Sequence, residues 1–555
     1  MNLISETQLF YEIGNQTPNQ ARFKVKDNWQ TITWGQCLDS ATKITYYLSE
    51  IGVGLETKVA IFAKNQLEWS YFDTALHAVR AILVPIYTSS TPEQVQYILA
   101  HSNAEIIVTE LERLPTLFKI LPTLPLIKKV IVIDLTNEEQ LSQLNESKLE
   151  ISNLFISLAT IYQQQLGADL QFFIDKIQPD DTSAILYTSG TTGNPKGVVL
   201  TRHNLQTNSE DWIDVLSDLM PTVRVDLLWL PMSHIFGWGE MGLGNMLGFT
   251  TYLTTHLEVL NDMPHVKPTV FMSVPAYWEK LYLDAKSYST QETAQLEKLH
   301  ELTGGRLQFC LSGGAGLKRE VKEFFYAADL LIIEGYGLTE CSPTLTMNRK
   351  NDFDFDTVGK PFPKVQLKLA QDGEILAKGP NIFKEYYKNQ SATDDSFDVE
   401  GWFKTGDLGE LTTQGFLTIK GRKKEIIVTT GGKNISPQLI EAQFKDDPYI
   451  EHIVLYGNER KYLTALVTLQ EANIKDYAAE NEDYATLINS QQVQTLIQQR
   501  IEIVNNNLAS YETIKKFMIY AGHLTVETGF LTASLKLKRN KVYEVFKKQL
   551  DELYK

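Results

Sequence analysis

An α/β fold is what this sequence predicts: a large N-terminal domain of several subdomains on mainly parallel sheets, followed by a small α+β C-terminal domain. Three observations predict it. Short apolar runs alternate with segments of helical period between residues 38 and 336. The 555 residues are 43% apolar, enough to fill more than one core. The texture then changes at 419–436, IKGRKKEIIVTTGGKNIS, after a run rich in glycine.

Residues 38–51 place Leu38, Ala41, Ile44, Leu48 and Ile51 near a 3.6-residue period, so the spacing predicts an amphipathic helix. KVAIFAK (58–64) reads as a buried strand, 67–79 as a helix and AILVPIY (81–87) as the next strand. Thr91 caps a further helix whose first turn accepts Pro92. EIIVTE (105–110) is the strand after it. This rhythm calls for parallel neighbours joined by helical crossovers. A polar patch at 135–153 interrupts it. It resumes with SAILYT (183–188), TVFMSV (269–274), LQFCLS (307–312) and LLIIEGY (330–336), each ending in a Gly-rich or polar turn. Gly401, Gly406, Gly409 and Gly415 read as turns ahead of a boundary at Gly421–Lys424, which divides residues 1–420 from 425–555.

With 52 Lys and Arg against 68 Asp and Glu, the formal charge is −16, which argues against nucleic acid as a partner. Cys37, Cys310 and Cys341 lie far apart and form no CxxC, which suits a reducing compartment. The opening MNLISETQLFYEIG has neither a basic nor an apolar signal region. The most apolar runs fall far short of the roughly 18 residues that a spanning helix needs. A cytoplasmic protein is expected, with peripheral membrane contact left open. The segment 511–555 holds nine Lys/Arg and five Asp/Glu, and reads first as a solvated helix face.

The strongest local signal follows the strand at 183–188: Tyr187-Thr188-Ser189-Gly190-Thr191-Thr192-Gly193-Asn194-Pro195-Lys196-Gly197. Glycines let backbone N–H groups approach an anion, Ser and Thr hydroxyls add donors, and Lys196 supplies a point charge. A Walker A loop would need a second glycine where Pro195 stands, so a P-loop NTPase is excluded.

The full string resembles the signature loop of the adenylate-forming superfamily, and further segments agree in that family's order. Trp229-Leu230-Pro231-Met232-Ser233-His234 is similar to its LPxxH segment, which implies a substrate-pocket role for His234. Ser312-Gly313-Gly314-Ala315-Gly316 resembles the turn beside adenine. Glu334-Gly335-Tyr336-Gly337-Leu338-Thr339-Glu340 resembles the YGxTE motif, implying that Tyr336 packs on adenine and that Glu340, with Thr188 as a second ligand, binds Mg²⁺. Gly401-Trp402-Phe403-Lys404-Thr405-Gly406-Asp407 resembles a motif whose aspartate accepts the ribose hydroxyls. Gly421-Arg422-Lys423-Lys424 resembles the family's hinge, with Arg422 at the ribose and Lys424 as pivot.

The branch is read from the tail. Phe530-Leu531-Thr532-Ala533-Ser534-Leu535-Lys536-Leu537-Lys538-Arg539 resembles the lysine loop of long-chain fatty acid–CoA ligases, with Ala533 and Ser534 replacing the usual Pro and Thr. Lys536 is the candidate catalytic lysine and Lys538 its rival. Thr430-Gly431-Gly432-Lys433-Asn434 resembles the same branch's loop, implying that Gly431 and Gly432 line the thiol tunnel. Trp238 resembles a gate on the acyl tunnel, and reads equally well as a core tryptophan.

The likeness implies that ATP and a fatty acid form acyl-AMP, that coenzyme A then takes the acyl group, and that the C-terminal domain moves between the halves. Lys196, His234 and Lys536 are the implied catalytic set. An acyl carrier protein as acceptor, a medium-chain or aryl acid as substrate, and a lipid-binding protein on an inactive adenylation fold stay open. Oligomeric state is not legible.

Overall fold

Two large sheets carry the N-terminal part of the chain in the computed structural model, which describes residues 5–26, 28–135, 154–163, 167, 169–188, 194–445, 447–477, 483–525, 528–532 and 536–555. Among the described residues one sheet has eight strands, in the order 385–386, 196–201, 182–188, 82–85, 58–62, 106–109, 129–132, 155–157. Its neighbours from 182–188 to 155–157 run parallel, and the hairpin 182–188/196–201 with 385–386 closes one edge antiparallel. The other sheet has nine strands, parallel from 21–25 through 250–253, 225–228, 270–273 and 309–312 to 332–337. Its edges, 30–33 on one side and 344–347 with 360–361 on the other, are antiparallel.

The predicted elements stand, and their boundaries have local causes. The helix Trp34–Glu50 begins four residues ahead of the apolar periodicity, because Thr33 and Gln36 form a capping box. Thr91 and Gln94 do the same for Pro92–Ser102, with Pro92 in the first turn. Strands Lys58–Phe62, Ile82–Pro85 and Ile106–Thr109 are almost wholly buried, since helices cover both faces of a parallel sheet. The polar patch at 135–153 lies outside the described residues, apart from Leu135.

The sequence reading does not anticipate the strand Lys196–Thr201, which makes the phosphate-loop candidate the tip of a hairpin. A second correction concerns the glycine-rich run. Gly401 and Gly415 are in turns, but Gly406 and Gly409 lie within the strand Phe403–Leu411. This strand belongs to a four-stranded antiparallel sheet, 366–369, 374–378, 403–411, 417–422. Gly409 sits at a register shift in it, where an added Cβ would come 2.9 Å from both Ile375 and the Thr418 carbonyl oxygen.

Past residue 427 the buried side chains form two clusters that share no member with the cores before them. One packs a three-stranded sheet, 450–456, 463–469 and 514–519, against the helix Gln491–Asn505, and the other seats the last helix, Arg539–Glu552, on the same sheet. Among the described residues no helix is long and apolar enough to cross a membrane.

Candidate active site

The strand ends and loops singled out by the sequence meet between the two large sheets and the C-terminal unit. Thr188 and Lys196 are direct partners across the hairpin and fix both ends of the phosphate-loop candidate. Ser189, Gly190, Thr191, Thr192 and Gly193 lie outside the described residues. The Lys196 ammonium stands 4.7 Å from the centroid of the Tyr386 ring.

The second wall is the end of the strand Ile332–Gly337 and the loop after Phe309–Ser312. Gly313 packs so closely on the Phe236 ring that a Cβ would come within 3.1 Å of it, and Gly314 has φ +84°. Gly314 and Ala315 are exposed. Gly337 needs glycine for space, since a Cβ would sit 1.8 Å from the Pro343 carbonyl oxygen. Gly335 lies in the same strand and Thr339 opens the following short turn.

The Glu334 side chain is engaged beneath the strand end. It does not face the cleft: its carboxylate is 3% exposed, receives the Lys322 ammonium at 2.6 Å and accepts the Leu317 N–H at 2.8 Å. Lys322 also donates to the Phe355 carbonyl oxygen. Glu334 thus anchors the 313–317 loop from beneath.

Tyr336 donates its hydroxyl to Asp407 Oδ2 at 2.7 Å, and Arg422 Nε lies 2.7 Å from Asp407 Oδ1. Burial pushes the Asp407 carboxyl up, while Arg422, Tyr336 and Lys536 pull it back. The 407–422 pairing is set by sheet register, where the two residues are opposite one another. Glu374 fixes both ends of this arrangement, accepting the Gly406 N–H at 3.0 Å and the Lys423 ammonium at 2.7 Å. Glu340, in the short turn Thr339–Cys341, accepts the Tyr386 hydroxyl at 2.7 Å.

His234 caps the helix Ile235–Leu247: its Nδ1 accepts the Phe236 N–H at 3.1 Å. Burial, aided by the charge of Lys536, holds its pKa down at about 4. The imidazole is therefore neutral at pH 7, and the bond to Nδ1 assigns its proton to Nε2. Trp238, one turn on, is 5% exposed and donates its indole N–H to Asp73 at 3.0 Å, so in this structure it is enclosed in the core.

From the C-terminal unit, Lys536 reaches this cleft. The residue is exposed over much of its surface. Its ammonium is nevertheless held below the ordinary lysine range, by desolvation and then by Arg422, with Asp407 and Glu340 opposing. The same charge is felt by His234. Lys536 is thus in the electrostatic field of four residues from four separate segments. Lys538 immediately precedes the last helix, and its N–H bonds the Phe530 carbonyl oxygen. Lys424 lies in an exposed turn, three residues after Gly421, whose φ is +135° and whose absent Cβ leaves room for Ser436. Gly431 and Gly432 occupy an exposed turn whose neighbours bond Arg460 and stack on Tyr511 within the C-terminal unit. Elsewhere between the C-terminal unit and the N-terminal part, Lys445 pairs at 2.7 Å with Glu279, a buried carboxylate of the helix Pro275–Tyr288.

The donor set suits Mg²⁺ held together with phosphate. Among the described residues no group of three or more His, Cys, Asp and Glu is placed to hold a metal alone. Glu340 offers one hard carboxylate, and Mg²⁺ is commonly bound by one or two carboxylates plus substrate phosphates. The sequence reading missed Tyr386, Glu374, Lys322 and the Lys445–Glu279 pair. Their signals in the sequence are single charged or aromatic residues in ordinary strands and helices, so only contact reveals them.

The model of the AMP-binding enzyme family matches residues 10–387, and that of the AMP-binding enzyme C-terminal domain matches 424–555. The chain is 31% identical to a long-chain-fatty-acid–CoA ligase, FadD15, of Mycobacterium bovis over 95% of this chain and 92% of that protein. It is 28% identical to the peroxisomal long chain acyl-CoA synthetase 6 of Arabidopsis thaliana, over 95% and 82%. Among solved structures, the adenylation domain of a carboxylate reductase from Mycobacterium chelonae superposes with TM-score 0.83 at 20% identity, over 100% of this chain and 92% of that one. An anthranilate CoA ligase in complex with anthranoyl-AMP gives 0.79 at 20% identity, over 99% and 98%. With both family models matched in sequence order across most of its length, this chain belongs to the AMP-binding enzymes.

Proposed function

We propose that the protein activates a long-chain fatty acid with ATP, giving acyl-AMP and pyrophosphate, and then transfers the acyl group to the thiol of coenzyme A with release of AMP. The observation that carries this is the Tyr336–Asp407–Arg422 cluster, joined by two contacts of 2.7 Å, with the tail lysine Lys536 in its field. The names of the relatives at 28–31% identity support the long-chain acid as substrate.

In the first half a carboxylate oxygen attacks the α-phosphorus, and the bond to pyrophosphate breaks. Two anions must meet, so charge neutralisation and positioning are the main requirements. Lys536 bridges the carboxylate and the α-phosphate, while Lys196 and the 188–193 hydroxyls and amides hold the β- and γ-phosphates. His234, kept neutral, offers its Nε2 proton to the carboxylate without adding a second cation beside Lys536. Tyr336 covers adenine, and the Asp407–Arg422 pair takes the ribose. Mg²⁺, when bound by Glu340 and Thr188 with the phosphates, supplies additional charge neutralisation.

In the second half the thiol sulfur attacks the acyl carbon, losing its proton as AMP departs. Lys536 has no part in that step, and the C-terminal unit turns about Lys424 to bring Gly431 and Gly432 to the thiol's path.

ATP–pyrophosphate exchange with palmitate, octanoate and benzoate tests this reading. Exchange driven by palmitate, followed by AMP-forming thioester synthesis with coenzyme A, is the expected result. Exchange with benzoate alone would overturn the substrate class, and no exchange with any acid would overturn the activity. A carrier-protein thiol offered beside coenzyme A identifies the acceptor. Lys424→Pro is expected to slow the second half more than the first.

A further inference from the structure

Tyr386 lies outside every motif described above, yet it touches both residues assigned to phosphate charge. It sits in the short strand Glu385–Tyr386, paired with Val198 of the hairpin that ends at Lys196. Its ring is 8% exposed, packs on Phe383 at 4.8 Å between centroids and lies under the Lys196 ammonium at 4.7 Å. Its hydroxyl donates to Glu340 Oε1 at 2.7 Å. The segment just before it is tied to the same turn, because the Phe383 N–H bonds the Glu340 carbonyl oxygen at 2.8 Å.

A lysine and a glutamate facing one anion-binding cleft attract each other when the anion is absent. Direct pairing would consume the ammonium and the carboxylate together, and a nucleotide would have to break the pair before using either. Among the described ion pairs Lys196 and Glu340 are not joined. The ring of Tyr386 lies against one and its hydroxyl against the other. An aromatic face attracts a cation without neutralising it, and a phenol donates to a carboxylate without displacing its negative charge.

We infer that Tyr386 is a positioning residue that holds Lys196 and Glu340 apart and aimed, so that phosphate and its divalent cation find each group unpaired. The inference rests on the adenylating function proposed above, and it assigns separate tasks to two parts of one side chain. The hydroxyl orients Glu340 and so governs the cation. The ring orients Lys196 and so governs the nucleotide whether or not the cation is present.

The test is calorimetric binding of α,β-methylene-ATP, an analogue that cannot be adenylated, at a series of Mg²⁺ concentrations. Tyr386→Phe keeps the ring and loses the hydroxyl. It is expected to raise the half-saturating Mg²⁺ about tenfold, the loss of one hydrogen bond to a charged group, with the metal-free Kd within about twofold of wild type. Tyr386→Leu loses both parts and is expected to weaken metal-free binding about fivefold as well, the size of a partly desolvated cation–π contact. Combining Tyr386→Phe with Glu340→Gln should add little to Glu340→Gln alone, because the hydroxyl acts through that carboxylate. An unchanged Mg²⁺ requirement in Tyr386→Phe, or full additivity with Glu340→Gln, overturns the inference. Both of these readouts use the conservative phenyl variant, so they decide the matter even if the leucine variant does not fold. A wild-type chain that binds no analogue at all overturns the proposed function together with the inference. A wild type whose binding depends on Mg²⁺ as strongly as that of Tyr386→Phe overturns the inference alone.

Discussion

The two walls of the cleft are built by different physics. On the N-terminal side, the loop at 313–317 and the strand end at 334–340 rest on buried groups: Glu334 and Lys322 pair at 2.6 Å with 3% and 4% of their surfaces exposed. On the C-terminal side, Lys424, Lys536 and the 431–432 turn are exposed, and Lys445, its side chain 40% exposed, reaches the buried Glu279 of the N-terminal part. A buried ion pair is costly to break because its partner is left uncompensated, whereas an exposed one contributes little. The comparison teaches that the Glu334–Lys322 pair is enclosed on both sides, whereas the lysines of the C-terminal side keep contact with water, which suits the rotation proposed above.

That contrast can be broken first at its fixed side. Lys322→Ala leaves Glu334 buried without its cation and is expected to cost about 3–5 kcal/mol of stability, read from urea unfolding. A loss below about 1 kcal/mol would place the pair among the solvent-screened ones. On the movable side, Lys536→Ala is expected to lower acyl-AMP formation by about 10²–10³ while sparing thiolysis of supplied acyl-AMP. Rapid-quench assays of the separate halves check it, and an equal loss in both would remove the lysine from its assigned step.

Acidity sharpens the comparison further. The pKa of His234 is about 4 in the folded chain, below the roughly 6.5 of an unfolded histidine. The unfolded chain therefore binds the extra proton first. The stability that neutral His234 contributes is present above pH 6.5 and is lost as pH falls toward about 4, by an order of 3 kcal/mol. Urea midpoints of wild type and His234→Asn over that window should converge as the pH drops. The alkaline limb of adenylation should lie below the ordinary lysine range, because Lys536 must stay protonated and its pKa is lowered.

Smaller effects are expected at the latch. Lys445→Ala leaves Glu279 unpaired, although on the rotation proposed above the carboxylate regains water as the C-terminal unit turns away. The first half-reaction should slow about threefold to tenfold, with the second unchanged or faster, since only the present orientation loses a contact. Equal slowing of both halves would show that the pair serves folding alone. Lys538→Ala, immediately before the last helix, should change either half by less than about twofold, as expected of a solvated side chain.

Much of this cleft was legible in the residues because its chemistry is local. Glycine where a Cβ would collide, as at Gly313 and Gly337, a capping Thr before Pro92, and hydroxyls crowded ahead of Lys196 are constraints that act within a few positions of the chain. The task of the Glu334 side chain was not legible for the same reason, because its partner Lys322 lies on another element. The adjacent tyrosines of KEYYKN look equivalent in sequence. Strand alternation separates them, turning Tyr386 to Lys196 and Glu340 while the Tyr387 ring meets His101 at 5.9 Å.

By itself, then, the sequence determined the alternation of strands and helices, the sites where backbone must come close to an anion, and the residue types able to carry charge there. Tertiary structure decided which of those charges meet. Pairing across a sheet, burial beneath a loop and the reach of Lys536 across the cleft depend on distances between segments far apart in the chain. Those distances set desolvation and Coulomb energy, and neither is fixed by neighbours in sequence.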